Sequence, residues 1–302
     1  MAGDSGPLGE ALELREQALA SRSWSQNARS FLVSQPLGAA GLFVFVVLVV
    51  CALFAPVIAT HDPIDNDVPN RFASPSSEHW FGTDQFGRDL FSRVVYGART
   101  SLFVGLITVT LGTTTGSAIG IFSAYYPRLD LIIQRAIDAM LAIPNLLLAL
   151  AIVAVLGPSL MNTVAAIAIA FIPGSARVLR SQARAVKQRP FVEAARSIGA
   201  SDLRILSRHI APNCFAPYVI LASTGLAAAI LAEASLSFLG LGTPPPRPSW
   251  GQMLSGSVQQ YATIAPWLAI FPGLAISIVV LGFNLFGDAL RDTLDPRLRG
   301  SR

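Results

Sequence analysis

Residues 37–59 read LGAAGLFVFVVLVVCALFAPVIA, and no charged side chain interrupts them. A helix needs roughly 17 to 25 residues to cross a hydrocarbon core, so this run can span a bilayer alone. The rest of the chain has the same character: of 302 residues, 52% are hydrophobic and 13% charged, about half the charged fraction of an average soluble domain. Five more apolar runs follow, at about 101–125, 136–156, 162–179, 215–241 and 263–286. Period-2 alternation is absent, and a lipid-facing backbone must satisfy its own hydrogen bonds, so these runs are helices. The sequence therefore predicts an all-α membrane protein with six transmembrane helices. Its parts are a cytoplasmic segment 1–36, a six-helix domain 37–290 and a cytoplasmic tail 291–302.

Basic residues set the orientation. The stretch 180–213 carries Arg180, Arg184, Lys187, Arg189, Arg196, Arg204 and Arg208 against only Glu193 and Asp202, which places it in the cytoplasm by the positive-inside rule. Four crossings separate it from the N-terminus, which is then cytoplasmic too. The tail agrees, with Arg291, Arg297, Arg299 and Arg302. The 60–98 loop, with Asp62, Asp65, Asp67, Glu78, Asp84 and Asp89, and the weakly charged 242–262 loop fall outside. The first apolar run exceeds a signal-peptide core and has no small-residue cleavage site, so it reads as a retained anchor. Before it, LGEALELREQALA has helical spacing and reads as a solvated or interface-lying helix.

Several chemistries are excluded. Cys51 and Cys214 fall at different depths, so neither a disulfide nor a metal spacing is expected. A phosphate-cradling loop ends in lysine, but the sole lysine, Lys187, sits among arginines without a glycine-rich approach. No Ser-His-Asp or HExxH arrangement is visible. The chain is not expected to be an enzyme, or to hold a cofactor or metal.

One basic segment stands between long apolar runs: RPFVEAARSIGASDLRILSRHIAPN, Arg189 to Asn213. Pro190 suits a first helical turn, and Phe191, Ala194, Ala195 and Ile198 recur at three- and four-residue spacing. Gly199 supplies a left-handed stop, Ser201 and Asp202 open a second helix striped by Leu203, Leu206 and Ile210, and Pro212 closes it. Such a hairpin could lie on anionic lipid. The pattern Glu193, Ala194, Ala195, Gly199, Ile210, Pro212, however, resembles the EAA loop of ATP-binding-cassette importer permeases. In that family the short helix is a coupling helix that docks in a groove of the ATPase subunit.

Other segments narrow the resemblance. HWFGTDQFGRDLFSRVVYGARTSL (His79 to Leu102), PVIATHDP from Pro56, AEASLSFLGLGTPPPRPSWGQML from Ala232 and NLFGDALRDTLDPRLR from Asn284 resemble the dipeptide, oligopeptide and nickel permease group. Within it the chain looks most like the C-type subunit. The resemblance implies a type I ABC importer permease fold in a bacterial inner membrane. It also implies a second homologous permease, two ATP-binding subunits that carry the ATP and Mg, and an extracytoplasmic solute-binding protein. No nucleic acid is implied. Coupling falls to Glu193, Ala194, Ala195, Gly199 and Pro212, and Asp84, Arg88, Asp89 and Trp250 are candidate binding-protein contacts. Peptides lead as cargo, with nickel or another small solute behind. A secondary transporter or channel would need no motor, and a membrane scaffold would use the basic loop for recruitment alone.

Intramembrane polar groups default to function. Asp138 either pairs with Arg135 on its own helix or faces the pathway. Glu233 either lines the pathway or caps backbone amides at the SFLGLG break. Gly112, Gly116 and Gly120 recur every fourth residue and predict close helix packing. Pro144, Pro173 and Pro272 predict kinks. His61 and His79 read as solvated loop histidines, the alternative being a resting place for a transported metal.

Overall fold

The computed structural model describes residues 35–255, 260–261 and 263–294. The helical segment expected at residues 8–20 and most of the tail lie outside the described residues. Helix α1 (Pro36–Leu53) continues after a step at Phe54 into α2 (Ala55–Ile58). Pro56 cannot donate to the carbonyl of Ala52, and Arg99 takes it instead: its Nε donates to Ala52 O at 2.9 Å. A folded connection of residues 59–89 leads to α3 (Leu90–Tyr125), α4 (Pro127–Leu141), α5 (Asn145–Leu156) and α6 (Leu160–Lys187). Next come α7 (Pro190–Ser197), α8 (Asp202–Ile205), a π turn (Leu206–Ile210) and α9 (Ala211–Asn213). The described residues end with α10 (Phe215–Phe238), α11 (Trp250–Leu254) and α12 (Trp267–Leu294).

Among the described residues five helices, α1, α3, α6, α10 and α12, are long and apolar enough to cross a membrane. The third expected span is different: α4 and α5 bend by 89° across residues 142–144. Proline disfavours helical geometry in the residue before it and donates no hydrogen bond, and Pro144 adopts ψ 135. Pro173 and Pro272, by contrast, lie inside unbroken helices. The bend at the third run is the break that sequence alone renders as a kink.

Helices α3 and α6 form the spine. A Cβ on Gly112 would lie 2.6 Å from Ala168 O, one on Gly116 2.5 Å from Ile172 O, and one on Gly120 2.2 Å from Ala176 O. Glycines every fourth residue thus meet carbonyls every fourth residue, and the backbones touch. α1 packs on α12 in the same way, with Gly41 against Gly282. The α3–α6 pair defines two ends: a basic end, with residues 176–213, and an opposite end, with residues 59–89 and 239–255.

Candidate functional site

At the basic end, α7 begins with Pro190 and stops at Gly199, whose φ is +82. The chain turns back there, Gly199 N–H donating to Arg196 O and Ala200 N–H to Ala195 O. Val192 inserts into a buried cluster with Leu179, Ala183, Val186, Ile205 and Ile210, and Ala195 is buried one turn further on. Phe191, Ala194 and Ile198 point the other way, Ile198 being 86% exposed, and Leu203 beyond the turn is 76% exposed. Ala195 was expected to share one face with Phe191, Ala194 and Ile198; it is buried with Val192 instead, because it lies at the edge of that stripe, one turn from Val192 as well as from Phe191. Glu193 is exposed, as is Pro212 in α9, which follows the π turn rather than a regular second helix. Ser201 precedes α8 without a side-chain cap.

The hairpin is held by charged groups that local spacing does not reveal. Lys187 donates to Tyr125 O at 2.7 Å, satisfying the carbonyl end of α3, and lies 4.9 Å from the Tyr125 ring centroid. Tyr125 Oη in turn donates to Asp202 Oδ1 at 2.5 Å, so one residue ties α3 to both α6 and α8. Burial and the neighbouring Arg196 and Arg184 push the Lys187 pKa down. Arg180 grips Asp130 with two bonds of 2.6 and 2.5 Å, joining α6 to α4 and holding the Asp130 carboxyl below its usual range. Asp138 does not pair with Arg135: Arg177 of α6 engages it across the same interface, with both side chains more than half exposed. The α4–α6 contact brings Arg177 to Asp138, and the pair ties helix to helix.

Comparison with known proteins bears on this arrangement. Residues 116–300 match the binding-protein-dependent transport system inner membrane component family, and residues 23–75 match the N-terminal TM domain of oligopeptide transport permease C. The chain belongs to this family of transport permeases. The dipeptide transport system permease protein of Alkalihalophilus pseudofirmus is 45% identical over 285 residues, covering 94% of this chain and 93% of its relative. The glutathione transport system permease protein of Escherichia coli O6:K15:H31 is 45% identical over 279 residues, covering 92% and 91%. A solved structure of the inward-facing MetNI methionine ABC transporter superposes with a TM-score of 0.52 at 18% identity, over 67% of this chain and 96% of that one. The fold is accordingly that of a type I ABC importer permease, and the protein is multi-pass.

At its other end the permease buries most of what the sequence marked. Glu233 is fully buried in α10, where Oε1 accepts from Ser237 Oγ at 2.7 Å and Ser249 Oγ at 2.8 Å. Ser237 Oγ accepts from Thr243 N–H, so Glu233 reaches the backbone break only through a serine. Oε2 makes no hydrogen bond among the described residues. The loop is pressed close here: a Cβ on Gly251 would sit 2.1 Å from Ala234 O. This is the geometry of a clamp between α10 and residues 242–251. Glu233→Gln keeps an acceptor for both serines and should leave assembly and uptake within about threefold of the parent. Glu233→Ala strands two buried hydroxyls and opens a cavity, at about 2–4 kcal/mol. Its loss of folded chain, measured by thermal unfolding in detergent, should precede any loss of uptake; normal folding with lost uptake would return Glu233 to the pathway.

Asp84, Arg88, Asp89 and Trp250 were expected at the surface, but all four are buried. Asp84 caps its own turn, accepting from Phe86 and Arg88 N–H and from Arg88 Nε at 2.7 Å. Arg93 approaches the same carboxylate at 3.6 Å, donates to Pro63 O at 2.7 Å, and has its pKa lowered by burial to about 10. Trp250 Nε1 donates to Val94 O, the ring resting on Gly97. An aspartate-rich loop reads as a solvated surface, and Asp62, Asp65, Asp67 and Glu78 are exposed, yet Asp84 and Asp89 satisfy a folded loop instead. With Thr243, Gln252 and Met253, Asp84, Arg88 and Arg93 line a cleft of about 580 Å³.

Proposed function

We propose that this permease is the C-type subunit of an ATP-driven importer that takes di- or oligopeptides from a solute-binding protein. The observation that carries the reading is the outer face of α7. A helix with Val192 and Ala195 buried on one side leaves Phe191, Ala194 and Ile198 exposed on the other, with Phe191 beside the His209 ring of its own hairpin, and that hairpin is tied to α3 and α6. An exposed apolar knob on a rigid base suits a groove in an ATP-binding subunit. ATP and Mg belong on two such subunits, and a second permease completes the pathway. The peptide assignment rests on the relatives named for dipeptide and glutathione transport.

In this reading the basic end faces the cytoplasm, as do both termini, and the 59–89 and 239–255 loops face the binding protein in a bacterial inner membrane. A motor can shift the permease between states only by binding them with different affinity. The hairpin is where that difference enters. Lys187, Tyr125 and Asp202 then pass displacement of α8 directly to the ends of α3 and α6.

Copurification in mild detergent tests the composition: two ATP-binding subunits and a second permease should accompany the full chain. A chain isolated alone or as a homo-oligomer would favour a channel or secondary transporter. Orientation has its own test, in a background with Cys51 and Cys214 replaced. Ser77 and Ser201 are both exposed. A cysteine at Ser77 should react with an impermeant thiol reagent outside intact cells, and one at Ser201 only after permeabilisation. The opposite pattern would invert the topology.

A further inference from the structure

His61, His79 and Asp89 each offer a ligand atom, and the three atoms lie within 4.8 Å of one another. Sequence spacing hides this, because His61 follows α2 while Asp89 caps α3. His79 is not a solvated loop residue: it is 8% exposed, and its Nδ1 is 3.0 Å from Asp89 Oδ1. His61 Nδ1 is 3.8 Å from that same oxygen, and the imidazole centroids are 4.8 Å apart. We propose that these residues form a binding site for a divalent transition-metal ion of the zinc type, resident in the loop rather than carried as cargo.

Three features support the assignment. Zinc bonds to nitrogen and oxygen of about 2.0–2.1 Å put tetrahedral donors about 3.3 Å apart. Two of the three separations, 3.0 and 3.8 Å, straddle that value and the third lies within 4.8 Å; the partly exposed His61, whose Nδ1 is 3.0 Å from Thr60 Oγ1, closes the remainder by exchanging that bond for the metal. Two imidazoles with one carboxylate suit zinc, nickel or cobalt, whereas magnesium and calcium take oxygen ligands. Finally, the carboxylate is oriented from behind: Asp89 Oδ2 accepts from Ser92 N–H at 2.8 Å and from Thr60 Oγ1 at 3.3 Å. Outer partners of this kind fix the ligand geometry of a metal site. His79 is fixed as well, its N–H bonded to Ser76 Oγ and its carbonyl accepting from Ser76 and Gly82 N–H. His61 opens to water, which leaves the fourth position for a solvent molecule.

Such an ion would staple the segment after α2 to the start of α3. The site depends neither on the peptide reading nor on the orientation. The test is titration of the full chain in detergent, stripped by chelator, with Zn²⁺ alone. One Zn²⁺ per chain should bind at micromolar or tighter concentration and raise the unfolding temperature, with little competition from Mg²⁺ or Ca²⁺. His61→Gln changes a surface side chain and should leave the metal-free unfolding temperature unaltered while weakening Zn²⁺ at least about tenfold. His79→Gln should weaken it by at least as much. Binding no tighter than millimolar, unchanged affinity in either variant, or equal competition by Mg²⁺ would overturn the site.

Discussion

Ile198→Asp is expected to leave the permease inserted and folded while cutting ATP-dependent uptake at least about a hundredfold. The residue is 86% exposed and makes no part of the buried cluster under α7, so the isolated chain has little to lose. Docked in an apolar groove, the same position would bury a carboxylate without a partner, costing several kcal/mol. Interface hot spots carry at least about 2 kcal/mol each, and about 2.8 kcal/mol is a hundredfold in affinity. The readouts are ATP-binding subunits retained on the purified complex and peptide uptake by intact cells. Undiminished retention and uptake would remove α7 from the motor interface and favour a hairpin lying on lipid. Leu203→Asp tests the same surface across the Gly199 turn, where Leu203 is 76% exposed.

Hydropathy reveals the spans because crossing a bilayer is a requirement on each segment by itself, independent of what packs beside it. The glycine ridge of α3 is readable for a related reason: close approach needs small residues on one face, and that face has a period. Pairings between distant segments carry no such signature. Asp138 has a plausible partner three residues away, yet Arg177 of α6 takes it. His61, His79 and Asp89 meet only because the 59–89 connection folds back on α3. The acidic loop residues have the composition of a solvated surface, as Asp62, Asp65, Asp67 and Glu78 are, and burial reverses the meaning of Asp84 and Asp89 alone. In α7, spacing marks which residues are apolar, but only the neighbouring Leu179 and Ile205 decide that Val192 turns inward. Pro144 likewise breaks its run while Pro173 lies inside a continuous helix, a difference that the residue type does not carry.

Gly120→Ala should prove the most damaging of the three glycine substitutions along the α3–α6 contact. The added Cβ would lie 2.2 Å from Ala176 O and 2.9 Å from Arg180 N, and both are backbone atoms of α6 that cannot rotate aside. Relief requires α3 and α6 to separate. That movement would strain the Lys187 cap on Tyr125 and the Arg180 grip on Asp130, which depend on the same spacing. Overpacking by a methylene commonly costs 1–3 kcal/mol; with two networks strained as well, a loss above about 4 kcal/mol is expected, against a total stability of about 5–15 kcal/mol. Gly174→Ala, in α6, provides the contrast, since its Cβ would meet nothing within 4 Å. There the gain in helix propensity, about 0.5–1 kcal/mol, stands alone. Thermal unfolding of the detergent-extracted chains should therefore move in opposite directions for one chemical change at two positions. Equal stability of the two variants would mean that α3 and α6 do not touch at Gly120, and the direct route from the hairpin into the membrane would lose its base.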